Sequence, residues 1–146
     1  MKIDLSGKVA LVTGGSRGIG RETSRLLAEA GATVIINYNK STSDAEKIRD
    51  EIISSGGKAE IIKADMSKPD EIENLFNYIK ETNKRVDILV NNAGIIRDML
   101  LPGMELSDWE KVMDINLRSV FLCTKYAVEI MMPLRSGKII NLSSIS

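Results

Sequence analysis

A glycine-rich stretch is the part of this 146-residue sequence best suited by residue type and spacing to bind a phosphate. It reads Thr13-Gly14-Gly15-Ser16-Arg17-Gly18-Ile19-Gly20 and lies between an apolar run and an amphipathic segment. Glycines at positions 14, 18 and 20 allow a tight turn and a close approach of the backbone to a phosphate. The helix that follows would offer free N–H groups and the positive end of its dipole. This arrangement predicts a site for the pyrophosphate of a dinucleotide.

The residues after the second apolar run indicate which dinucleotide is preferred. NAD-binding folds commonly hold the ribose 2′-hydroxyl with a carboxylate about 20 residues beyond the glycines. Here the sequence reads Asn37-Tyr38-Asn39-Lys40-Ser41, and the first acid is Asp44. The missing carboxylate removes repulsion against a 2′-phosphate, and Arg17, Lys40 and Ser41 can donate to one. The charges therefore favour NADP(H) over NAD(H).

The composition excludes several other chemistries and partners. The sequence has no histidine, which excludes Ser-His-Asp triads and nearly every zinc site, so no metal site is predicted. Its 20 basic and 20 acidic residues cancel, which argues against a nucleic-acid partner. Apolar runs such as Val9–Val12 are far shorter than the roughly 20 residues that span a bilayer. The single Cys123 cannot form an internal disulfide and is predicted to lie in the core. We therefore expect a cytoplasmic protein that binds neither nucleic acid nor membranes.

The apolar pattern predicts the elements that must position these residues. Five short runs rich in β-branched residues are expected to be buried strands, at 8–14, 33–37, 58–64, 86–90 and 138–143. Segments with a helical period separate them. Strands that alternate with helices form a parallel sheet covered on both faces. The prediction is an α/β, doubly wound sheet in three layers, as one dinucleotide-binding domain over residues 1–146.

The spacing of apolar residues predicts which face of each helix is buried. The predicted stripes of the first three helices are Ile19, Thr23, Leu26, Leu27 and Ala30; Ala45, Ile48, Ile52 and Ile53; and Ile72, Leu75, Phe76 and Ile79. The third helix is expected to begin at Pro69, with acids in its first turn.

The last crossover is twice as long as the others and is predicted to contain one helix over 107–132. Ser107-Asp108-Trp109-Glu110 matches a capping box at its start. Two apolar stripes follow, Val120, Phe121, Thr124, Ala127, Val128 and Met131, and then Leu122, Tyr126 and Ile130. One stripe can cover the sheet, whereas the second needs a partner within this chain or in a neighbouring subunit.

Three motifs together resemble the short-chain dehydrogenase/reductase family. They are the glycine stretch, Asn91-Asn92-Ala93-Gly94, and Asn116 within Asp114-Ile115-Asn116-Leu117. Within that family, residues 91–101 (NNAGIIRDMLL) and 108–121 (DWEKVMDINLRSVF) are most similar to the 3-oxoacyl-[acyl-carrier-protein] reductases of fatty-acid synthesis. The resemblance implies a Rossmann fold and an NADP-dependent oxidoreductase that reduces a small-molecule or acyl-carrier-linked ketone to a hydroxyl. It also implies a homo-oligomer that pairs through helix 107–132.

The resemblance also implies roles for individual residues. Those implied to bind the cofactor are Gly14, Ser16, Arg17, Gly18, Ile19 and Gly20 at the pyrophosphate and adenosine ribose, Tyr38, Asn39 and Lys40 after the second strand, Asp65 and Met66 at the adenine, and Asn92, Ala93 and Gly94 at the cofactor ribose. Asn116 would belong to the catalytic set, and Ser144 would hydrogen-bond the substrate carbonyl.

The sequence departs from the family at its proton donor. The family uses a Tyr followed four residues later by a Lys, whereas the three tyrosines here are followed at that distance by Thr42, Thr82 and Ile130. We expect the N-terminal half of a reductase, truncated after the fifth strand, without the C-terminal catalytic part and inactive alone. Retention of Asn116 and Ser144 favours this interpretation over its alternative, a truncated, catalytically inactive NADP-binding module. The run 138–143 is apolar on both faces and is expected to form a strand with an unprotected edge.

Overall fold

Five parallel strands form one sheet within residues 3–144, the part of the chain that the computed structural model describes. The elements in chain order are β1 (Val9–Val12), α1 (Gly18–Glu29), β2 (Thr33–Tyr38), α2 (Thr42–Ser54), β3 (Lys58–Lys63), α3 (Pro69–Thr82), β4 (Ile88–Asn91), a short 3-10 turn (Leu101–Gly103), α4 (Leu106–Met113), a π-helical turn (Asp114–Arg118), α5 (Ser119–Leu134) and β5 (Lys138–Asn141). Each strand predicted from the apolar pattern is present.

The order of the strands fixes where a ligand can bind. It is β3-β2-β1-β4-β5, so the chain runs outward from β1 to β3 and then returns to the other side of β1. All neighbouring strands pair in parallel. The reversal leaves a crevice at the carboxyl ends of β1 and β4, which is where open α/β sheets bind ligands.

Helices cover both faces of the sheet, which confirms the three-layer α/β prediction. On one face Leu11 and Leu89 pack with Phe76 and the apolar side of α5. On the other face Val12 and Ile36 pack with Ile48 and neighbouring residues of α2. Strands β1 and β4 are buried along their whole length. Burial on both faces explains why the central strands are continuous apolar runs.

Helix α1 buries a different face from the predicted one. Ile19 is 66% exposed and Leu26 is 55% exposed, so the predicted stripe is wrong at both positions. Gly20, Ser24 and Ala28 face the sheet instead. The helix lies so close to the glycine turn that a Cβ on Gly20 would come 2.3 Å from the Gly14 carbonyl oxygen. Small residues are therefore required at this contact, and side-chain size does not mark the buried face.

Helices α2 and α3 follow their predicted patterns more closely. In α2 the residues Ala45, Ile48 and Ile52 are buried, but Ile53 is exposed. The four predicted core residues of α3 are all buried, and Pro69 occupies the first turn. Proline is favoured there because the first N–H groups of a helix have no acceptor within it.

The long crossover is not a single helix from Ser107. Its first helix, α4, begins at Leu106. Glu105 occupies the N-cap position and forms no side-chain cap bond, so the capping-box prediction is wrong. A π-helical turn then separates α4 from α5. Such turns are rare and often occur at functional sites.

Helix α5 buries a face that contains members of both predicted stripes and two residues of neither. The buried set is Ser119, Cys123, Ala127, Ile130 and Met131, which places Cys123 in the core as predicted. Phe121 is 64% exposed, contrary to its place in the first stripe. Leu122 and Tyr126 pack against the core, with the Tyr126 ring 5.6 Å from that of Phe76. The second stripe thus finds its partner within this chain. Because α5 is apolar on most sides, spacing alone does not select the face that packs.

Asp87 directly precedes β4, and β5 is the last strand in the order of the sheet. Asp87 accepts hydrogen bonds from the Val9 amide at 2.9 Å and from Arg85 Nε at 2.8 Å. Burial alone would raise the pKa of Asp87, but these bonds and the nearby cations hold it below its ordinary value. Among residues 3–144, β5 pairs with β4 alone and forms one edge of the sheet, where Ile140 is half-exposed. Within residues 3–144 no helix is long and apolar enough to cross a membrane.

Candidate functional site

A cleft of about 770 Å³ opens at the carboxyl ends of β1 to β4. Its lining consists of Gly14, Ser16, Arg17, Gly18, Asn37, Tyr38, Asn39, Lys40, Ser41, Ala64, Asp65, Met66, Ser67, Asn92, Ala93, Gly94, Ile95, Ile96, Arg97, Lys111 and Ile115. The loops after four strands meet here because parallel strands all end at the same edge of the sheet. Most of the predicted cofactor-binding residues are therefore brought together in one place.

The glycine turn has the shape of an anion cradle. Gly14 and Gly18 have φ angles of +60° and +53°, which L side chains rarely adopt. A Cβ on Gly18 would meet no protein atom within 4 Å, so the space beside this residue is open. The first helical bond of α1 runs from the Arg21 amide to the Arg17 carbonyl, which leaves the preceding amides of the helix without helical acceptors. Amides of this kind, at the positive end of a helix, bind phosphate groups well.

Asn37 is the contact that sequence reasoning missed. Its side chain is 1% exposed, its Oδ1 accepts from the Gly14 amide at 3.2 Å, and its Nδ2 donates to the Ala64 carbonyl at 3.1 Å. In the sequence this residue was noted only as part of the run Asn37-Tyr38-Asn39-Lys40-Ser41, which contains no acid. The sequence did contain a sign of this contact: Asn37 is a polar residue near the end of an apolar strand, and a buried polar group needs hydrogen-bond partners.

The corner beyond β2 carries positive charge. Lys40 is exposed, and the Arg17 guanidinium is 72% exposed with its Nε 4.0 Å from Asp44 Oδ2. Tyr38 closes the end of β2 and is buried. No residue at this end of β2 presents a carboxylate to the cleft. A phosphate entering this corner therefore meets cations and hydroxyl donors.

Asp65, in the loop after β3, contributes a carboxylate to the lining of the cleft. Its Oδ1 accepts from the Ser67 amide at 2.9 Å and from the Ser67 hydroxyl at 2.7 Å. Burial would raise the pKa of Asp65, but the Ser67 hydrogen bonds outweigh it and the pKa lies below its ordinary value. The group is therefore an ionised acceptor at neutral pH. Met66 beside it is buried, with its sulfur 3.9 Å from that of Cys123. Burial raises the pKa of the Cys123 thiol to about 12, so this sulfur is not a nucleophile at neutral pH.

The loop after β4 is fastened to the loop after β1. Asn92 Nδ2 donates to the Thr13 and Gly14 carbonyl oxygens, each at 3.0 Å. The Thr13 hydroxyl oxygen in turn accepts from the Asn92 and Ala93 amides at 3.0 Å. These four bonds fix Ala93 close to Gly14, where a Cβ on Gly14 would lie 3.1 Å from the Ala93 Cα. The crevice between β1 and β4 is thus held rigidly.

Four predicted site residues lie outside the lining of the cleft. Gly20 lies behind the turn against Gly14, and Ile19 is exposed on α1. Asn116 lies in the π-helical turn and bonds to Ile95, which does line the cleft. Ser144 is exposed beyond β5. The structure thus gathers the predicted cofactor residues more fully than the predicted catalytic ones.

Other lining residues come from segments that carried no prediction. Ile95, Ile96 and Arg97 follow the Asn-Asn-Ala-Gly run, while Lys111 and Ile115 lie one helical turn apart at the junction of α4 and the π-helical turn. Only the path of the long crossover brings the last two here, and apolar spacing does not encode that path. Within residues 3–144 no cluster of three or more potential metal-ligating side chains occurs.

Comparisons with known proteins agree with this geometry. The family model described as short chain dehydrogenase matches residues 8–146. A 3-oxoacyl-[acyl-carrier-protein] reductase of Synechocystis sp. is 46% identical over 142 residues, which is 97% of this chain and 58% of that protein. The 3-oxoacyl-[acyl-carrier-protein] reductase FabG of Staphylococcus epidermidis is 44% identical over 94% of this chain and 57% of its own length.

Solved structures show the same architecture. A metagenomic short-chain oxidoreductase in complex with NADP superposes with a TM-score of 0.93 at 34% identity, over 97% of this chain and 64% of that one. A short chain dehydrogenase from Burkholderia cenocepacia in complex with NADP gives a TM-score of 0.87 at 37% identity, over 97% of this chain and 57% of that one. The chain spans somewhat more than half the length of the curated relatives that it matches.

Proposed function

Because the chain belongs to the short chain dehydrogenase family, we propose that it binds NADP(H) in the cleft at the ends of β1 to β4. We propose further that the protein is an oxidoreductase that reduces a ketone carried on an acyl carrier protein, in fatty-acid synthesis. The observation that carries the proposal is a cleft with a glycine cradle at one wall and no carboxylate at the end of β2.

The residues of the cleft fit the cofactor in charge and shape. The open space beside Gly18 and the amides that begin α1 would hold the pyrophosphate. Arg17 and Lys40 would neutralise the 2′-phosphate, and the ionised Asp65 would accept from the adenine amino group. The two solved relatives described above both contain NADP, which supports this choice of cofactor.

The substrate proposal depends on the curated relatives. Two of them, at 46% and 44% identity, are 3-oxoacyl-[acyl-carrier-protein] reductases. Bound NADPH would supply the hydride that reduces such a ketone. In this proposal the Ser144 hydroxyl donates a hydrogen bond to the ketone oxygen, and Asn116 holds the loop at Ile95 that borders the cleft.

Protonation of the reduced oxygen needs an acid that these residues do not supply. The sequence has no Tyr followed by Lys four places later, and no histidine. Cys123 is buried with a pKa of about 12 and is far too weak an acid. We therefore propose that a polypeptide of these 146 residues binds the cofactor without turning over a ketone.

A second candidate is an NADP-binding module that does not catalyse any reaction in the cell. It applies if the natural polypeptide, like these 146 residues, contains no Tyr-x-x-x-Lys pair. An intact-mass measurement on the natural protein separates the two. A mass near 16.1 kDa supports the module, and a substantially larger mass with the pair present supports the reductase.

Oligomerisation is part of the proposal as well. Trp109, Leu117 and Phe121 are exposed on α4, the π-helical turn and α5. Exposed apolar side chains close together commonly mark an interface. We propose that copies of the chain pair through this segment. Phe121 would lie in the contact, whereas Leu122 and Tyr126, the residues of the second predicted stripe, pack within the chain.

Calorimetric titration of the chain with NADPH tests the binding proposal. We expect saturable binding with one site per chain and competition by 2′-AMP, which carries the adenine and the 2′-phosphate. Absence of binding by a folded chain would contradict the proposal. A ketone substrate added to the same sample is expected to cause no oxidation of NADPH.

A further inference from the structure

Asn37 carries a hydrogen-bonding pattern that the cofactor proposal does not explain. It is the fifth residue of β2, it is 1% exposed, and it lies where the strand enters the cleft. A buried amide loses its hydration, so it is tolerated only where the fold pairs its donor and acceptor. Both ends of this amide are paired, and both partners belong to the backbone of loops that line the cleft.

The partners of Asn37 lie on two different walls. Its Oδ1 accepts from the Gly14 amide at 3.2 Å, and its backbone carbonyl accepts from the Gly15 amide at 2.9 Å. Its Nδ2 donates to the Ala64 carbonyl at 3.1 Å and lies 3.4 Å from the Ile62 carbonyl oxygen. One side chain therefore joins the glycine turn after β1 to the loop after β3.

These two walls are the ones that a dinucleotide must touch at the same time. The glycine turn is the proposed cradle for the pyrophosphate, and the loop after β3 carries Asp65 and Met66 at the proposed adenine site. We infer that Asn37 is a positioning residue that sets the separation between these two walls. The inference rests on the proposed function for its ligand, although the contacts of Asn37 do not.

The chemistry of the side chain explains why an amide is required. Gly14 offers a donor and Ala64 an acceptor, so the bridging group must accept at one end and donate at the other. A carboxylate would turn an oxygen toward the carbonyls of Ala64 and Ile62, and an alanine would leave both partners without a bond. A serine hydroxyl is too short to reach both.

The test compares ligands that touch one wall or both. NADP⁺ spans both walls, whereas 2′-AMP lacks the pyrophosphate and would meet the glycine turn only at the exposed side chain of Arg17, not at the Gly14 amide that Asn37 holds. For Asn37→Ala we expect the affinity for NADP⁺ to fall about tenfold and that for 2′-AMP by less than about threefold. Amide hydrogen exchange at Gly14, measured by NMR without ligand, should be faster because its acceptor is gone.

Asp87→Asn is the matched control. Asp87 is also a buried polar side chain with several hydrogen bonds, but it lies at the opposite edge of the sheet from the cleft. Its substitution should lower stability without changing the ratio of the two affinities or the exchange at Gly14. Asn37→Ser replaces Asn37→Ala if the alanine variant does not fold, because serine also fails to reach both walls.

Each outcome decides a distinct question. An equal loss for NADP⁺ and 2′-AMP, or no loss for either, contradicts the positioning role of Asn37. If the unsubstituted chain binds neither ligand, the proposed function fails. In that case unchanged amide exchange at Gly14 in the variant would overturn the role of Asn37 as well. Faster exchange at Gly14 would show that Asn37 still positions the glycine turn.

Discussion

The side chain of Asn116 pairs with the backbone of Ile95 in both directions. Asn116 Oδ1 accepts from the Ile95 amide at 2.8 Å, and its Nδ2 donates to the Ile95 carbonyl at 2.9 Å. The π-helical turn places Asn116 opposite the loop after β4, which lines the cleft. The rare turn and the side-chain pair together fix one wall of the site.

Replacing Asn116 should loosen that wall. For Asn116→Ala we expect a loss of about 1 kcal/mol in the free energy of unfolding, because two exposed hydrogen bonds are lost. The affinity for NADPH should fall a few-fold, to be measured by urea denaturation and by titration. Asn77→Ala, at an exposed position of α3, is the control and should lower neither quantity, because alanine favours the helix. Equal effects in both variants would contradict a role for Asn116 at the cleft.

The ion pair between Arg17 and Asp44 should compete with the cofactor phosphate. Arg17 Nε lies 4.0 Å from Asp44 Oδ2 in an exposed corner, so the pair is weak. Asp44→Asn frees Arg17 and removes a negative charge near the proposed 2′-phosphate site. We expect the affinity for NADPH to rise about two- to threefold while that for NADH stays unchanged. A parallel rise for both cofactors would show that Arg17 does not contact the 2′-phosphate.

Stability should fall in acid partly through Asp87. Its pKa in the folded protein lies below the ordinary value of about 3.9, so its contribution is complete above that pH. The contribution is lost as the pH falls through the folded pKa, because the unfolded chain takes up the proton more readily. Urea denaturation between neutral pH and about pH 2.5 should show a smaller acid loss in Asp87→Asn than in the unsubstituted chain. Identical pH profiles would exclude this contribution.

The exposed apolar residues of the crossover should control self-association. Phe121→Glu places a charge on the exposed face of α5 and should shift the chain toward monomer in sedimentation velocity. Tyr126→Glu should instead destabilise the fold, because that ring packs against Phe76 within the chain. Asn77→Glu adds the same charge elsewhere and should leave association unchanged. A Phe121→Glu chain that associates normally would contradict the proposed interface.

The strands and the site of the cleft could be predicted from the sequence for a simple physical reason. Central strands of a parallel sheet are buried on both faces, so they are continuous apolar runs such as Val9–Val12. Glycines 14, 18 and 20 were informative because each position disfavours a side chain: Gly14 and Gly18 have positive φ angles, and Gly20 packs against the Gly14 carbonyl. Local sequence therefore contained the reason for these features.

The buried faces of α1 and α5 could not be predicted in the same way. Close helix-to-sheet contacts select small residues, such as Ser24 and Ala127, so the largest apolar residues do not mark the buried side. The bridges from Asn37 to Ala64 and from Asn116 to Ile95 join residues that are 27 and 21 positions apart in the chain. Such contacts depend on the path of the chain, which residue spacing does not specify.

The central claim is that the cleft selects NADP(H) because Tyr38 stands where a carboxylate would repel the 2′-phosphate. The most direct measurement is calorimetric titration of NADPH and NADH against the chain and its Tyr38→Asp variant, with Tyr38→Asn as an uncharged control for the loss of the ring. We predict that the unsubstituted chain binds NADPH about tenfold more tightly than NADH, that Tyr38→Asp reverses this order, and that Tyr38→Asn keeps it. Equal affinity for the two cofactors, before and after the substitution, would contradict the account.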